Sequence, residues 1–371
     1  MDFRDIATEP WAPNNEKQWR KWIASTAFSK PIHQVLIDAN DVDMPMQDPR
    51  IAGFQFESVP SQGNEPQSND SRKSNSFGDT NVLDRHVLIQ SDKELHPSDF
   101  TMVDVSSKAL NSVHVPDLAL FKNLEIVNAG DNHLQLSSFG VLSKLRELRL
   151  HCNMIRNLEI NTSPCMLSAF ESLKVLDLSY NAISPTNLEK LTLLPALENL
   201  DVTFNALESI PSSSVMSQFR RLSSLSLAHN RLREDIVLEY LSSCPALRIV
   251  NLQYNSLKRV PRCAVGEGCF PALNRLNIAH NNISTEAEIL PAVLIDCLRD
   301  LVLYGNPICD KVKCNGDIRD NISNVEEQCI RRVRIAAAET REGLGSGYLK
   351  IITSNPRERP SEVTAMKRKS L

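Results

Sequence analysis

The sequence predicts an α/β solenoid, in which short parallel strands stack into one curved sheet and the connecting segments return along the outer side. Three observations carry this prediction. Residues 100–308 hold 38 of the 45 leucines, whereas the first 80 residues hold one. Within that region a short pattern recurs every 21 to 28 residues, a period typical of solenoids. In each copy leucines alternate with polar residues, as in a strand with one buried face.

The repeated pattern is clearest in Leu173–Ile183, which reads L-x-x-L-x-L-x-x-N-x-I. A degenerate copy, Phe100–Leu110, begins the series and has Lys108 where the others have asparagine. With the seven further copies there are nine repeats. These seven lie at Leu124–Leu134, Leu145–Ile155, Leu197–Leu207, Leu222–Leu232, Leu247–Leu257, Leu273–Ile283 and Leu298–Ile308.

This pattern resembles the leucine-rich repeat, and the resemblance covers residues 100–308. It implies a horseshoe with a parallel β-sheet on the concave side and a mixture of helical and extended returns on the convex side. The asparagine of each copy ends a strand where the chain turns, and its amide can satisfy backbone groups that the turn leaves unpaired. We therefore predict a structural ladder of Asn132, Asn153, Asn181, Asn205, Asn230, Asn255, Asn281 and Asn306.

The return segments are predicted to differ from repeat to repeat. The Ser184-Pro185 dipeptide suits a helix N-terminus. Two further short helices are expected at Glu234–Leu241 and Thr285–Leu294. Extended returns are expected at Glu208–Pro211 and Lys258–Pro261, because proline lacks the N–H that a helix interior needs.

Five regions are expected along the chain. Residues 1–81 are predicted to be largely disordered, because residues 40–82 are polar and lack any hydrophobic period. The remaining regions are an N-terminal cap at residues 82–99, the nine repeats at 100–308, a C-terminal cap at 309–343 and a flexible basic tail at 344–371.

The N-terminal region also carries a candidate binding motif. All three tryptophans, Trp11, Trp19 and Trp22, lie within the first 22 residues. Asn15 can cap a short helix over residues 14–28 that carries two of them. Two interpretations remain open: a helix that folds back on the protein's own surface, or an anchor for a partner, since tryptophan is enriched among interface anchors.

The repeat frame predicts that the side chains beside the strand leucines face the concave side. Asp177 and Asp201 lie on adjacent strands there, so either a basic group of a partner lies between them or they are solvated acidic surface. The rings one place before the asparagines either shield the turn or form a strip along which a partner lies. The candidate partner-binding residues are Arg149, Asp177, Asp201, Asn251, Arg275, Asn277, Tyr180, Phe204 and Tyr254.

The sequence points to no chemistry of its own. It holds no phosphate-binding glycine loop, zinc-protease motif or serine-hydrolase motif, so we predict no enzyme, no catalytic residue, no metal and no cofactor. The strand positions that the repeat frame places on the concave side hold Arg149 and Arg275 as their cations. With a net charge of −4 as well, the sequence disfavours binding to nucleic acid. We expect a monomeric solenoid whose partner is another protein.

Cysteine use and hydropathy predict where the protein works. Nine cysteines lie at scattered spacings, and the first residues lack the apolar stretch of a secretory signal. These features predict reduced thiols in a protein of the cytoplasm, or also of the nucleus, that is not secreted. No run of 18 apolar residues exists, so no membrane association is expected.

A narrower resemblance extends beyond the repeat frame. Leu83-Asp84, Pro97-Ser98-Asp99 and Phe270-Pro271-Ala272 are among the segments similar to the family of X-ray radiation resistance-associated proteins, and the likeness covers residues 83–310. It implies an intracellular repeat protein of the cytoplasm and nucleus, linked to the radiation response and without established chemistry. The resemblance also implies a long C-terminal extension, to which no residue of this sequence is matched.

Together these features predict an intracellular, non-enzymatic protein-binding scaffold that uses the concave face of its repeats and is related to a radiation or stress response. The alternative is a leucine-rich repeat protein that regulates a phosphatase or belongs to cilia or the cytoskeleton. The two would look the same in sequence, because repeat folds do not fix a function.

Overall fold

A computed structural model of the chain describes residues 81–89, 96–160, 169–262, 269–309, 332–339 and 348–353. Most of the first predicted region, with the helix at 14–28 and the motif Trp11, Trp19 and Trp22, lies outside the described residues.

The described residues contain twelve short strands, most of them three residues long. The strands are β1 (Val82–Leu83), β2 (Met102–Asp104), β3 (Ser112–Val113), β4 (Ile126–Asn128), β5 (Glu147–Arg149), β6 (Val175–Asp177), β7 (Asn199–Asp201), β8 (Ser224–Ser226), β9 (Ile249–Asn251), β10 (Arg275–Asn277), β11 (Asp300–Val302) and β12 (Lys350–Ile352). Ten of them form one parallel sheet in the order β12-β11-β10-β9-β8-β7-β6-β5-β4-β2.

The register of this sheet confirms the predicted α/β solenoid. The central residue of each strand pairs with the central residue of the next, as Leu176 does with Leu200 and Leu200 with Leu225. These central residues are buried, whereas the two strand residues beside them point to the opposite face. Because every repeat contributes one strand in the same frame, the sequence period becomes the strand order.

The returns on the outer side are mixed, as predicted. At the start of the helix Pro185–Leu191 the Ser184 side chain accepts a hydrogen bond from the Asn187 backbone N–H at 3.3 Å, so it caps the helix. The repeat after Asn205 also contains a short helix, beyond its predicted extended return. The helices are α1 (Arg85–Ile89), α2 (Val115–Leu118), α3 (Pro185–Leu191), α4 (Ser213–Met216), α5 (Ile236–Ser242) and α6 (Glu286–Ile289), with 3-10 turns at Pro97–Asp99, Leu136–Phe139, Leu290–Leu294 and Pro307–Cys309.

The first repeat is covered by the segment before it. Strand β1 pairs in parallel with β3, which lies in the return of the first repeat. Leu83 from β1 and Leu88 from α1 are both fully buried in the continuous hydrophobic core. Residues 82–89 therefore shield the apolar layer that would otherwise meet water at this end.

The C-terminal end differs from the prediction. Residues 344–371 were expected to be a flexible tail, but Lys350–Ile352 form β12, the last strand of the sheet, paired with β11. Leu349 and Ile351 are buried in the core. Their aliphatic side chains cover the last layer, and this burial is the physical reason why the segment pairs.

A helical segment at residues 332–339 also contributes to this end, within the predicted C-terminal cap. Val333 and Ala337 are buried and join the hydrophobic core. The Arg332 Nη1 atom lies 3.2 Å from the Glu286 Oε1 atom in α6. This segment therefore packs against the last repeats.

Within the described part of the chain, Cys244 and Cys297 are free thiols. Burial raises the pKa of the Cys244 thiol to about 12, so it stays protonated and inert. Among the described residues there is no helix with the length and hydropathy that a membrane crossing requires.

Candidate functional site

The eight marker asparagines join each repeat to the one before it. In Asn281 the side-chain Oδ1 accepts a hydrogen bond from the Leu257 N–H at 2.9 Å. Its Nδ2 donates to the Leu252 carbonyl at 2.9 Å and to carbonyls of its own turn. The other seven make the same kind of contacts, from Asn132 to Asn306. These asparagines are part of the scaffold, with their polar groups directed into it.

The residue before each marker position has a left-handed backbone. Its φ lies between 50° and 70° in all nine repeats. For most residues this conformation costs roughly 1 kcal/mol, and it directs the side chain along the edge of the sheet. The nine are Ser107, Asp131, Cys152, Tyr180, Phe204, His229, Tyr254, His280 and Gly305.

Five rings at this position form a continuous stack. Neighbouring ring centroids from Tyr180 to His280 lie 4.1 to 4.4 Å apart, with interplanar angles of 6° to 18°. Burial, with the His280 charge as a smaller cause, lowers the pKa of His229 to about 3, so this ring is neutral within the stack. The predicted ring residues Tyr180, Phe204 and Tyr254 thus lie together, and their mutual stacking favours the interpretation that they shield the turns.

Glycine ends the ring stack. A Cβ on Gly305 would lie 2.3 Å from the His280 Nδ1 atom, so the His280 ring occupies the space that a side chain would need. The Tyr304 ring meets His280 edge-on at 5.2 Å. Gly305 is therefore required by the close approach of the ring, and its φ of +70° is one that glycine adopts without strain.

The face of the sheet away from the core carries the candidate partner-binding columns, and its centre is more buried than the sequence predicted. Arg149, Asp177, Asn251 and Asn277 are all less than one-tenth exposed. Only Asp201 and Arg275 of the predicted strand residues are half-buried. Side chains on adjacent parallel strands lie only about 4.8 Å apart, so they shield one another.

A recurring turn explains why the last strand residue is so often Asp or Asn. The Oδ1 atom of Asp177 accepts a hydrogen bond from the Ser179 N–H at 2.9 Å, and that of Asp201 accepts one from the Thr203 N–H at 2.8 Å. The same two-residue bridge starts from Asp104, Asn128, Asn251 and Asn277. This is a local use of the side chain that needs no partner.

Two of the predicted binding residues are satisfied within the sheet. Asn251 Nδ2 donates to the Ser226 hydroxyl at 3.4 Å, and Asn277 Nδ2 donates to Gln253 Oε1 at 2.9 Å. Within the described residues these two amides are thus held by the neighbouring repeats, and their contact with a partner stays a prediction. Buried amides require such internal bonds, because an unsatisfied buried group is costly.

Arg149 is likewise engaged inside the molecule. Its Nε donates to Glu147 Oε1 at 2.7 Å, from the same strand and the same face. Both side chains are largely buried. A paired guanidinium leaves the concave columns little free positive charge, which argues against a row of phosphate contacts.

Asp177 has a basic neighbour that the strand pattern did not reveal. His151 Nδ1 lies 3.5 Å from Asp177 Oδ2, and both side chains are buried. Space for the imidazole comes from Gly130, where a Cβ would lie 2.1 Å from the ring. Burial raises the pKa of the Asp177 carboxyl, but the interactions with His151 and Ser179 outweigh it and the net pKa is lowered.

The pKa of Asp201 shifts in the opposite direction to that of Asp177. Burial, and after it the charge of Asp177 on the adjacent strand, raises the pKa of Asp201 to about 7. Its Oδ1 is held by Thr203, and the Thr203 hydroxyl is shared with Ser226 at 2.8 Å. The predicted adjacency of the two carboxyls is thus present, since Asp177 pairs with Asp201 in the register of the sheet.

Glu147, His151 and Gly130 belong to this site although the sequence pattern did not single them out. The sequence did contain an indication of this site. His151 is the one basic residue found two places before a marker asparagine, and the same position of the preceding repeat holds the small Gly130. Across the described ranges no three His, Cys, Asp or Glu side chains converge in a way that could hold a metal ion.

Comparison with protein-family models gives no match. Among curated proteins, X-ray radiation resistance-associated protein 1 of Mus musculus is 28% identical over 227 residues, which are 61% of this chain and 27% of that protein. Tubulin-specific chaperone E of Danio rerio is 32% identical over 178 residues, 44% of this chain and 32% of that protein. Tsukushi of Mus musculus is 30% identical over 153 residues, 40% of this chain and 41% of that protein.

The chain therefore spans less than half the length of each of these curated relatives. Among solved structures, the crystal structure of a TLR13-ssRNA13 complex is 21% identical, with a TM-score of 0.41, and the match covers 56% of this chain and 33% of that one. An internalin from Listeria monocytogenes is 16% identical with a TM-score of 0.37, and covers 57% of this chain and 75% of its own. The resemblance to leucine-rich repeat proteins that the sequence predicted is confirmed by the curated relatives.

Proposed function

Because this chain is a leucine-rich repeat solenoid, we propose that it is a non-enzymatic scaffold that binds a protein partner across its concave face inside the cell. The observation that carries the proposal is the continuous ten-stranded sheet. The central residue of each strand packs on the core, and the first and last residues of each strand form the opposite, concave face. At about 4.8 Å per strand, such a sheet is roughly 45 Å wide. That width accommodates a standard interface of roughly 800 Å² per partner.

The first residue of several strands is apolar and faces the concave side, where it can anchor a partner. Met102 is 49% exposed, and Ile126, Val175 and Ile249 are half-buried in the second, fourth and seventh repeats. The polar residues Glu147, Asn199 and Ser224 occupy the same position in the repeats between them, so apolar and polar groups are mixed along this row. Interfaces commonly combine apolar anchors with polar groups that set orientation.

The test is proximity labelling in cells with the full chain and two matched variants. Ile249→Arg places a charge on the concave face, whereas Leu294→Arg places the same charge on an exposed position of a return segment. We expect Ile249→Arg to lose the labelled partners and Leu294→Arg to keep them, with circular dichroism showing both folded. Equal labelling by all three proteins would exclude the concave face as the binding surface.

A separate deletion of residues 1–30 tests the tryptophan motif. If Trp11, Trp19 and Trp22 anchor a partner, this deletion removes a distinct set of labelled proteins. If the segment packs on its own chain, the labelled set stays the same and the thermal stability falls instead. The two interpretations thus predict changes in different measurements.

Similarity to the mouse X-ray radiation resistance-associated protein 1 supports a role in the response to radiation or other stress, in the cytoplasm or nucleus. We expect the labelled neighbours, or the distribution of the protein between cytoplasm and nucleus, to change after irradiation. Identical neighbours and distribution before and after irradiation would remove this part of the proposal.

A cytoskeletal role is the second candidate. It is supported by the similarity to tubulin-specific chaperone E of Danio rerio over 44% of this chain. Enrichment of tubulin among the labelled proteins, lost in Ile249→Arg, is the outcome expected of this candidate. Enrichment of a phosphatase catalytic subunit would instead favour a phosphatase-regulating protein.

A further inference from the structure

Two carboxyl groups on the concave face have unequal surroundings. Asp177 and Asp201 are register partners on β6 and β7. Each uses Oδ1 to hold the backbone N–H two residues further on. The Oδ2 of Asp177 faces His151, whereas within the described residues the Asp201 carboxyl has only Thr203 as a hydrogen-bond donor.

The neighbouring side chains give Asp177 a basic partner but direct none at Asp201, as far as the described residues show. On β5, Arg149 is paired with Glu147 and so is already neutralised. After β5, His151 faces Asp177. On the other side, β8 presents Ser226, which has no charge and binds the Thr203 hydroxyl. The described strands on either side of Asp201 therefore offer it a second carboxyl and hydroxyl groups. Of the two basic neighbours of the pair, Arg149 is paired with Glu147 and His151 is directed at Asp177.

A second observation lies in the imidazole of His151. The ring is 1% exposed, and its Nε2 makes no hydrogen bond within the described part of the chain. Its Nδ1 points toward Asp177, and the ring is accommodated only because Gly130 has no side chain. A buried ring nitrogen, Nε2, that has no hydrogen bond and lies beside two carboxyls indicates a polar site that is incomplete as it stands.

On the premise of the concave binding proposed above, we propose that Asp177 and Asp201 receive one arginine side chain of the bound protein, with Asp201 as its principal contact. A guanidinium carries several N–H donors in a planar fork, so it can donate to Asp201 Oδ2 and also reach the neighbouring carboxyl. Strands in a sheet lie about 4.8 Å apart, a span that such a fork can bridge.

Proton competition gives this proposal a measurable signature. Burial and the neighbouring charge raise the pKa of Asp201 to about 7, so near neutral pH the carboxyl is partly protonated. A guanidinium must displace that proton, because it favours the ionised carboxyl. Binding therefore releases a proton and weakens by about tenfold for each pH unit once the pH is well below 7.

The experiment uses the full chain and a small probe. Nα-acetyl-argininamide is titrated at pH 7.5 while the carboxyl carbon signals of ¹³C-labelled aspartates are followed by NMR. Nα-acetyl-citrullinamide, of the same shape but without charge, is the ligand control. We expect saturable shifts at Asp177 and Asp201 with the arginine compound only, and binding about tenfold weaker at pH 5 than at pH 6.

Matched variants localise the site. Asp201→Asn keeps the Oδ1 acceptor for Thr203 but removes the charge, and should weaken the probe by at least about tenfold. Asp104→Asn makes the same change at the same position of the first repeat, where Asp104 holds Ser106 in the same turn, and should leave binding within about twofold. Equal loss in both variants, or equal binding of both compounds, overturns the proposal.

The outcomes also separate this inference from the proposed function. If the cellular partners are lost in Ile249→Arg but kept in Asp201→Asn, the scaffold proposal stands and the arginine site is wrong. If the probe binds Asp201 but no partner depends on the concave face, the site exists and the scaffold proposal fails.

Discussion

At the scale of single residues, the marker asparagines show how one side chain can join two repeats. Asn281 accepts a hydrogen bond from the Leu257 N–H and donates to carbonyls on both sides of the turn. Only an amide offers an acceptor and two donors of this shape, since aspartate lacks the donors and leucine lacks both. The identity of the residue is therefore fixed by hydrogen bonding, although burial alone would favour an aliphatic side chain.

Asn281 and its neighbour Asn282 provide a matched test. Asn281→Ala leaves buried backbone groups of the Leu252 and Leu257 turn unsatisfied, so we expect a loss of about 1–3 kcal/mol in the free energy of unfolding. Asn282 is exposed, and Asn282→Ala should change stability by less than about 0.5 kcal/mol. Urea unfolding measures both. An equal loss in the two variants would contradict the scaffold role of the marker asparagine.

Asp201 predicts an unusual dependence of stability on pH. Its pKa in the folded protein, about 7, lies above the ordinary 3.8. Between these values the folded chain holds a proton that the unfolded chain has lost, so this group destabilises the fold as the pH rises through that window. Asparagine at this position has no charge to bury and removes the effect.

The expected result is that Asp201→Asn is as stable as the native chain near pH 4 and more stable at pH 8, by on the order of 1 kcal/mol. Thermal unfolding at both pH values measures the difference. Asp104→Asn, whose native side chain is exposed, serves as the control and should show no such trend. A stabilisation by Asp201→Asn that is independent of pH would show that the carboxyl is not the cause.

At the scale of structural elements, β12 shows how a short strand can complete a solenoid. The Lys350 N–H donates to the Arg299 carbonyl at 2.7 Å, and the Leu303 N–H donates to the Ile352 carbonyl at 2.8 Å. Ile351 fills the core position that a leucine occupies in the repeats, and pairs with Leu301. The segment carries no marker asparagine, so its place depends on these backbone bonds and on burial of aliphatic side chains.

Alternate residues of β12 should respond differently to a charge. Ile351→Asp buries a carboxylate in the last layer, which costs several kcal/mol unless the strand detaches. We expect β12 to detach and the backbone amides of β11 to lose protection in hydrogen exchange. Lys350→Asp, at an exposed position, should leave that protection unchanged. Retained protection in Ile351→Asp would mean that β12 does not cover the core.

The ring stack is the second element whose limits can be tested. Gly305→Ala brings a Cβ against the His280 ring and also places a side chain at positive φ, so we expect it to lower the melting temperature. Adding His280→Ala removes the clash but not the backbone strain. The double variant should therefore be more stable than the sum of the two single losses predicts, by 0.5 kcal/mol or more on the scale typical of contacting residues.

At the scale of the whole molecule, each repeat contacts its sequence neighbours, and stability is transmitted along one axis. The sheet order follows the chain order from β2 to β12, apart from β3, which pairs with β1. In such an array, stability is approximately the sum of the repeats and of the interfaces between neighbours. A defect in the middle therefore has a different consequence from a defect at one end.

Leu225→Ala and Leu83→Ala test this difference. Each removes a buried side chain and should cost about 2–5 kcal/mol. We expect the central change at Leu225 to divide the solenoid, so that β4 and β11 lose hydrogen-exchange protection at different urea concentrations. The change at Leu83 should reduce protection mainly in the first repeats. Uniform loss of protection in both variants would show that the solenoid unfolds as a single unit.

The concave site was only partly predictable from the sequence. The adjacency of Asp177 and Asp201 followed from the repeat frame, because residues in the same phase lie on neighbouring strands. The state of each carboxyl did not follow, since it depends on His151 and on how deeply the face is buried. The same holds for Arg149, whose pairing with Glu147 depends on side-chain conformation.

The sequence by itself determined the solenoid, the register of its strands and the asparagine ladder. These features are local and periodic, so a repeated pattern of leucine and asparagine suffices to specify them. Tertiary structure alone decided that β12 completes the sheet, that the polar columns are largely buried and that two like carboxyls differ in pKa. Such properties arise from packing between segments distant along the chain and from the low dielectric of buried positions, and neither leaves a period in the sequence.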